Sequence, residues 1–178
     1  MTPVVVLTGF MGSGKSTVGQ ELSRSLGVEF VDTDLELEHR AGRTIAEIFA
    51  DDGEKQFRTL ELETVRDVLA DSGGIVSLGG GSVTVPAIRD ALVGHHVVYL
   101  EISADDGFAR VAGTDRPLLA AADPAKRYAE LLDARRDIYR AVATHTVDAT
   151  DAVERLVATI IDALPDSGGY AATTGEQA

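Results

Sequence analysis

Two stretches of the sequence hold residues whose types and spacing could do chemistry. Residues 9–17 read GFMGSGKST, which matches the phosphate-binding pattern G-x-x-x-x-G-K-[ST]. Its backbone N–H groups can surround phosphate oxygens, Lys15 can reach the β- and γ-phosphates, and Ser16 can ligate Mg²⁺. A chance match in a chain this long has a probability below about one per cent. The motif therefore predicts nucleotide binding.

The second stretch is FVDTD at residues 30–34, where an apolar strand pattern runs into two aspartates. Residues i and i+2 of a strand point to the same side, so both carboxylates face one direction if the extended geometry persists to Asp34. P-loop proteins usually need a carboxylate at the end of a neighbouring strand for Mg²⁺. One aspartate can serve the metal, and the other can orient or deprotonate an attacking hydroxyl. The competing interpretation is a helix N-cap aspartate, Asp32, with a solvent-facing neighbour.

A third stretch, Gly79 to Gly81, follows a buried-strand pattern. Three glycines allow the backbone to approach a ligand closely, although an ordinary turn is the alternative. The sequence has no guanine-reading N-K-x-D motif, which argues against a GTPase, and a motor needs a longer chain. A small-molecule kinase remains, and such an enzyme needs an acceptor pocket beside the γ-phosphate and a lid that excludes water.

Alternating strands and helices must position these motifs. Apolar runs predict five strands, at 4–8, 29–32, 74–78, 97–102 and near 146–148. Helical patterns cover 15–26, 35–69 (broken at Gly42 and near Gly53), 85–93, 104–112, 125–143 and 152–164. Strands that are apolar on both faces indicate a parallel sheet covered by helices, an α/β fold with three α/β/α layers. Residues 113–124 form a predicted mobile loop, and 165–178 a predicted disordered tail.

Composition limits the partners. The net charge of −13 and the pI near 4.6 argue against nucleic acid. No apolar run approaches the roughly 20 residues that span a bilayer, no signal peptide precedes the first strand, and cysteine is absent. We therefore expect a cytoplasmic enzyme without a membrane partner. Thirteen of the 16 basic residues are arginines, whose planar forks suit a small anion.

Taken in order, six motifs resemble those of shikimate kinase. They are GFMGSGKST, DTD (32–34), GEKQFR (53–58), LGGG (78–81), RPLL (116–119) and DARRDIY (133–139), and the resemblance runs from residue 4 to about residue 163. It implies a P-loop kinase fold with strand order 2-3-1-4-5, in one domain over residues 1–164 with a lid at about 112–124. It also implies a monomer that uses ATP and Mg²⁺ to phosphorylate the 3-hydroxyl of shikimate, a step of aromatic amino-acid biosynthesis.

The resemblance also implies roles for individual residues. Catalysis would fall to Lys15, Asp34 and Arg116. The nucleotide would contact Gly12, Ser13, Gly14, Lys15, Ser16, Thr17, Arg110 and Arg116. The metal would be held by Ser16, with Asp32 behind it. Shikimate would be bound by Asp34, Arg58, Gly80, Gly81 and Arg135.

Several alternatives stay open at this point. A shift of one residue would exchange Arg135 with Arg136, and Phe49 and Phe57 could be pocket walls or core residues. The family often has a basic residue and a proline near VDATDA (147–152), where this chain has neither, so residues 148–152 are expected to contact adenine through their backbone. The four histidines have no metal-ligand spacing and are expected to be structural or on the surface. A gluconate kinase and a non-catalytic nucleotide-binding module are the competing functions.

Overall fold

A parallel sheet of five strands forms the centre of the molecule, in a computed structural model that describes residues 2–114 and 117–164. The strands are β1 (Val5–Thr8), β2 (Phe30–Asp32), β3 (Ile75–Ser77), β4 (Val97–Glu101) and β5 (His145–Asp148). Their spatial order is β2-β3-β1-β4-β5, with every neighbouring pair parallel. The strand order that the resemblance implied is therefore confirmed.

Seven helices cover the sheet in the described part of the chain. They are α1 (Lys15–Leu26), α2 (Thr33–Ala41), α3 (Ile45–Asp71), α4 (Pro86–Ala91), α5 (Ala104–Val111), α6 (Pro124–Val142) and α7 (Val153–Asp162). Short 3₁₀ turns occupy Ser82–Thr84 and Pro117–Leu119. The breaks predicted inside 35–69 are present: Gly42 ends α2 with a φ of 67°, and Gly53 has a non-helical φ of 79° inside α3. Left-handed backbone of this kind favours glycine because it has no Cβ.

Side-chain alternation along the strands divides the core between the two faces of the sheet. Val6 and Tyr99 point to the face covered by α3, α4 and α6, where Val65, Ile88 and Leu132 are fully buried. Leu7 and Val98 point to the opposite face, which α1 and α7 cover with Leu22, Leu156 and Ile160. A sheet with two apolar faces and a helical layer on each is the three-layer sandwich that the sequence predicts.

The carboxyl ends of the strands form the edge at which the chemistry-bearing residues meet. Open parallel sheets bind ligands at this edge, where the chain leaves one strand and turns into the next helix. The turns after β1, β2 and β3 hold the phosphate-binding motif, the aspartate pair and the three glycines. Since β1 lies between β3 and β4, the phosphate-binding turn is central and the other two turns lie on one side of it. No described helix has the length and apolar character needed to cross a membrane.

Candidate active site

The turn between β1 and α1 forms a cradle for phosphate. Gly14 caps α1 with a left-handed backbone (φ 87°), and no side chain caps the first helical turn. The N–H groups of that turn are therefore available to an anion, which the helix dipole also favours. The Lys15 ammonium group folds back over the loop and donates to the carbonyls of Gly9 at 2.8 Å and Phe10 at 3.4 Å. The lysine is thus held above the same cradle.

The extended geometry does not persist to Asp34, so the condition under which both carboxylates would face one direction is not met. Strand β2 ends at Asp32, whose carboxylate caps α2 by accepting from the N–H of Asp34 at 3.0 Å. The N-cap interpretation therefore holds for Asp32, while Asp34 lies in the first turn of the helix. The other Asp32 oxygen accepts from the Ser16 hydroxyl at 3.3 Å. Hard oxygen donors at this spacing suit Mg²⁺, so Ser16 and Asp32 fit the metal that the motif implies.

Asp34 faces inward, against the glycine turn that follows β3. A Cβ atom at position 79 would lie 2.3 Å from Asp34 Oδ1, so only glycine leaves room for this carboxylate. Burial and, to a smaller extent, the negative charges of Asp32 and Glu61 raise the pKa of Asp34 to about 6, although the positive charge of Lys15 acts in the opposite direction. A carboxyl group with a pKa close to neutrality is suited to accepting a proton from a hydroxyl.

Arg58 is held at the same glycine turn by a buried carboxylate. Its guanidinium donates through Nη1 to Glu61 Oε2 at 2.7 Å, and the Glu61 side chain is only 3% exposed. The other Glu61 oxygen accepts from the Ser82 hydroxyl at 2.7 Å. A Cβ atom at position 81 would lie 3.2 Å from the Arg58 guanidinium, which places the arginine directly over that glycine. The fork is therefore fixed in orientation before any substrate arrives.

The structure separates the two neighbouring arginines of α6. Arg135 donates to the Gly80 carbonyl at 3.3 Å, and its guanidinium lies 5.4 Å from the centre of the Phe10 ring. Arg136 instead forms an ion pair with Asp133 at 2.6 Å. It lines a groove of about 430 Å³ near β5, a groove that neither Lys15 nor Asp34 lines. Of these two arginines, Arg135 is the one that contacts the glycine turn.

Arg110 joins the phosphate cradle to the loop after β5. Its Nη1 donates to the Gly12 carbonyl at 3.1 Å and its Nη2 to the Ala149 carbonyl at 2.7 Å. In that loop Asp148 accepts from the N–H of Thr150 at 2.9 Å, which closes a tight turn. The guanidinium thus lies between the two loops that the sequence assigned to the nucleotide. Arg116, assigned to the lid, lies outside the described residues, as does the tail at 165–178.

The remaining candidates fall into two groups. Phe57 is buried in a small core with Leu37 and Ile48, whereas Phe49 is 38% exposed and stacks on Phe57 at 4.5 Å between ring centres. Phe57 is therefore a core residue, and Phe49 alone has surface to offer a ligand. Two of the histidines stack at the opposite end of the sheet, and no group of three metal-ligating side chains occurs among the described residues.

Sequence reasoning missed several residues that shape this site. Thr33, between the two aspartates, accepts from the N–H of Gly79 at 3.1 Å and so ties the β2 turn to the glycine turn. Glu61 could have been suspected from its position one helical turn after Arg58, a spacing that favours ion pairs. Tyr128 and Tyr139, which donate to the Met11 and Gly80 carbonyls, have no comparable signal in the sequence.

Known proteins match both the sequence and this geometry. A family model described as shikimate kinase matches residues 11–165. The chain is 56% identical over 149 residues to a shikimate kinase of Mycobacterium avium, covering 83% of this chain and 85% of the relative. A Mycobacterium tuberculosis shikimate kinase is 55% identical with the same coverage. A solved shikimate kinase from Acinetobacter baumannii, in complex with shikimate, has a TM-score of 0.85 at 33% identity, covering 91% of this chain and 92% of that one.

Proposed function

The chain belongs to the shikimate kinase family, and its activity is the phosphorylation of shikimate by ATP with Mg²⁺; we propose that the 3-hydroxyl is the acceptor and propose which residues carry each part of the reaction. One observation carries this assignment. A carboxylate and two arginines, Asp34, Arg58 and Arg135, converge on the glycine turn beside the phosphate cradle. That set matches an acceptor with one reacting hydroxyl and one carboxylate.

The phosphate cradle binds and orients the nucleotide. The N–H groups of residues 12–17 surround the phosphates, and the Lys15 ammonium turns from its two loop carbonyls toward the β- and γ-phosphates. Ser16 and Asp32 are the residues that would hold Mg²⁺, which supplies positive charge to the transferring group when bound. Arg110, anchored to Gly12 and Ala149, lies where adenine would contact the backbone of residues 148–152.

Asp34 orients the acceptor hydroxyl and takes its proton. Its carboxylate lies on the floor formed by Gly79 and is fixed on the first turn of α2. A base must reach the proton it removes before its pKa matters, and the placement of Asp34 beside the glycine turn supports this role. Gly80 and Gly81 complete the floor of this pocket because they leave room for a ring above the backbone.

The carboxylate of the acceptor is bound between Arg58 and Arg135. The buried Glu61 holds one fork, and the Gly80 carbonyl with the Phe10 ring holds the other. Arginines that are oriented in advance lose little side-chain freedom when a planar anion binds. Gluconate also has a carboxylate and hydroxyls, so it is the acceptor that most needs to be tested against shikimate.

The loop at about 112–124 closes over the reacting groups as a lid. Its arginine, Arg116, would bring a positive charge to the transferring phosphoryl group. We further infer that the protein is a cytoplasmic monomer that binds neither nucleic acid nor membrane. The net charge of −13 supports the exclusion of nucleic acid.

A coupled assay of ATP consumption tests the proposed acceptor. The purified protein with Mg²⁺ is given shikimate, gluconate or no acceptor. We expect turnover with shikimate, and a phosphomonoester at the 3-hydroxyl when the product is examined by ³¹P–¹H correlation NMR. Turnover with gluconate alone would identify a different small-metabolite kinase. Binding of ATP without turnover on either acceptor would indicate a nucleotide-dependent binding module.

Arg58→Lys and Arg135→Lys are each expected to raise the KM for shikimate by roughly 10- to 150-fold, which corresponds to one charge-assisted contact of about 1.5–3 kcal/mol. Lysine keeps the charge but cannot reproduce the two parallel N–H bonds of the guanidinium fork. The KM for ATP should change much less. Steady-state kinetics with each substrate varied in turn measures both constants.

Arg136→Lys is the matched control, because Arg136 is the neighbouring arginine and pairs with Asp133 instead. It should leave both constants unchanged. The effects of Arg58→Lys and Arg135→Lys on the KM for shikimate should be non-additive in a double-mutant cycle, since both arginines hold one anion. Strictly additive effects, or an equal effect of Arg136→Lys, would mean that the carboxylate does not bind between Arg58 and Arg135.

A further inference from the structure

Helix α6 presents three polar side chains along one face toward the ligand-binding turns. At about 100° per residue, positions 128, 135 and 139 lie within about 40° of one another around the helix axis. Arg135, in the middle, belongs to the acceptor pocket described above. The flanking residues Tyr128 and Tyr139 are both fully buried, and nothing in the proposed reaction uses them.

Each of these tyrosines donates its hydroxyl proton to the backbone of a different ligand-binding turn. The Tyr128 hydroxyl donates to the Met11 carbonyl at 2.7 Å, inside the phosphate cradle. The Tyr139 hydroxyl donates to the Gly80 carbonyl, in the middle of the glycine turn. One rigid helix therefore contacts both the turn that holds the nucleotide and the turn that holds the acceptor.

Packing fixes both rings. Tyr128 contacts Phe10 edge to face at 4.9 Å between ring centres, and it lies against Gly107 of α5. A Cβ atom at position 107 would be 2.0 Å from the Tyr128 hydroxyl, so only glycine admits it. Tyr139 stacks on Tyr99 of β4 at 5.0 Å with an angle of 16° between the rings. Each hydroxyl is thus fixed against the turn that it contacts, and the two tyrosines lie about 16 Å apart along the helix axis at 1.5 Å per residue.

We propose that Tyr128 and Tyr139 are positioning residues, which together fix the spacing between the phosphate cradle and the glycine turn for in-line phosphoryl transfer. The inference rests on the proposed function and deepens it. Burial raises the pKa of Tyr128 to about 12 and also raises that of Tyr139, so both hydroxyls stay protonated and can donate. Phosphoryl transfer depends almost entirely on positioning, and a misplacement of about 1 Å can cost about 100-fold in rate.

Tyr128→Phe and Tyr139→Phe test the proposal, because phenylalanine keeps the ring packing and removes only the donor. Each substitution should lower kcat by about 10-fold. This decrease lies between the decrease in rate expected from one lost hydrogen bond and that expected from a displacement of about 1 Å. The KM values for ATP and shikimate should change by less than about twofold, since each turn keeps its own ligand contacts. The kcat of the double variant should be close to that of the slower single variant, because the loss of either hydrogen bond already leaves the distance between the two turns unfixed.

Tyr99→Phe is the matched control. Its hydroxyl is buried in the same cluster of rings but has no hydrogen-bond partner among the described residues. It should leave kcat unchanged, and all three single variants should unfold at similar temperatures. The proposal would be overturned if Tyr128→Phe and Tyr139→Phe lowered kcat no more than Tyr99→Phe does. A rise in the shikimate KM with normal kcat would also overturn it.

Hydrogen exchange of the ligand-free protein tests the same idea without any turnover. Tyr128→Phe should speed amide exchange in residues 10–14 by about fivefold, and Tyr139→Phe should do so in residues 79–82, while Tyr99→Phe should affect neither. Unchanged exchange in both turns would also overturn the proposal. If the unaltered protein fails to phosphorylate shikimate, the proposed function falls, and the exchange rates still decide whether the two hydroxyls hold the turns.

Discussion

Lys15→Met is expected to lower kcat by about 10³-fold or more while the protein stays folded. The ammonium group is the positive charge that the cradle itself contributes, and loss of one preorganised donor to a transition state costs about 10²–10³ in rate even without a charge. Methionine has a similar length and remains compatible with α1. The lysine donates to two carbonyls of its own loop, at Gly9 and Phe10. Since methionine also keeps the packing of the aliphatic stem, the change in unfolding free energy should be small.

Single-turnover measurements at saturating ATP and shikimate isolate the chemical step, and circular dichroism follows unfolding. Lys126→Met is the matched control, since this lysine is exposed on the first turn of α6. It should retain full activity. Equal turnover by Lys15→Met and the unaltered protein would mean that the turn at residues 9–17 does not bind the transferring phosphate, because Lys15 is the lysine of that turn.

Asp34→Asn is expected to lose about 10²- to 10⁴-fold in kcat and to gain stability at neutral pH. The amide cannot accept a proton, which removes a general-base contribution of that size. The stability gain follows from the pKa, which is 3.8 for the ordinary group and about 6 in the folded protein. The protonated form stabilises the fold fully below pH 3.8, and this contribution is lost as the pH rises through 6. Above pH 6 the unaltered protein therefore carries a buried charge that asparagine avoids.

The difference of about two pKa units corresponds to about 3 kcal/mol of unfolding free energy. Urea unfolding without Mg²⁺ should show Asp34→Asn as the more stable protein at pH 8, with the advantage shrinking toward pH 5. Asp32→Asn is the comparison: it keeps the helix cap through the amide oxygen but should raise the Mg²⁺ concentration needed for activity. If extra Mg²⁺ restored both variants equally, the separate roles of the two aspartates would be wrong.

The fold was predictable because its signals are local. The apolar run before GFMGSGKST and the helical pattern after it predict a strand, a turn and a helix, and α1 has the predicted bounds. The strand order came from the family resemblance, since apolar strands carry no mark of which neighbour they pair with. The backbone conformation at Asp34 could not be predicted for a similar reason. Asp32 is both the last residue of β2 and the N-cap of α2. The sequence alone does not show whether the strand continues past Asp32 or a helix begins there.

The site was predictable only where a side chain meets the ligand directly. Arginines and aspartates stand out by charge, but Tyr128, Tyr139 and Thr33 act through backbone carbonyls and N–H groups of distant turns. Those contacts depend on how α6 and α2 pack against the sheet, and packing is a property of the whole fold. Glu61 was predictable in part. Its ion pair with Arg58 follows from their separation of three residues in one helix, whereas its hydrogen bond with Ser82 depends on how that helix packs.

The central position of β1 has a consequence for folding during synthesis. All four of its residues are buried, and its partners β3 and β4 begin only at residues 75 and 97. At about 5–20 residues per second, translation leaves this apolar strand without its full pair of partners for roughly 5 to 20 seconds. The nascent chain can form α1, α2 and α3 in that interval, but it cannot shield the strand between its neighbours. We therefore expect slow translation near residues 60–95 to favour aggregation of the nascent chain, and a chaperone that covers apolar segments to raise the yield of folded kinase.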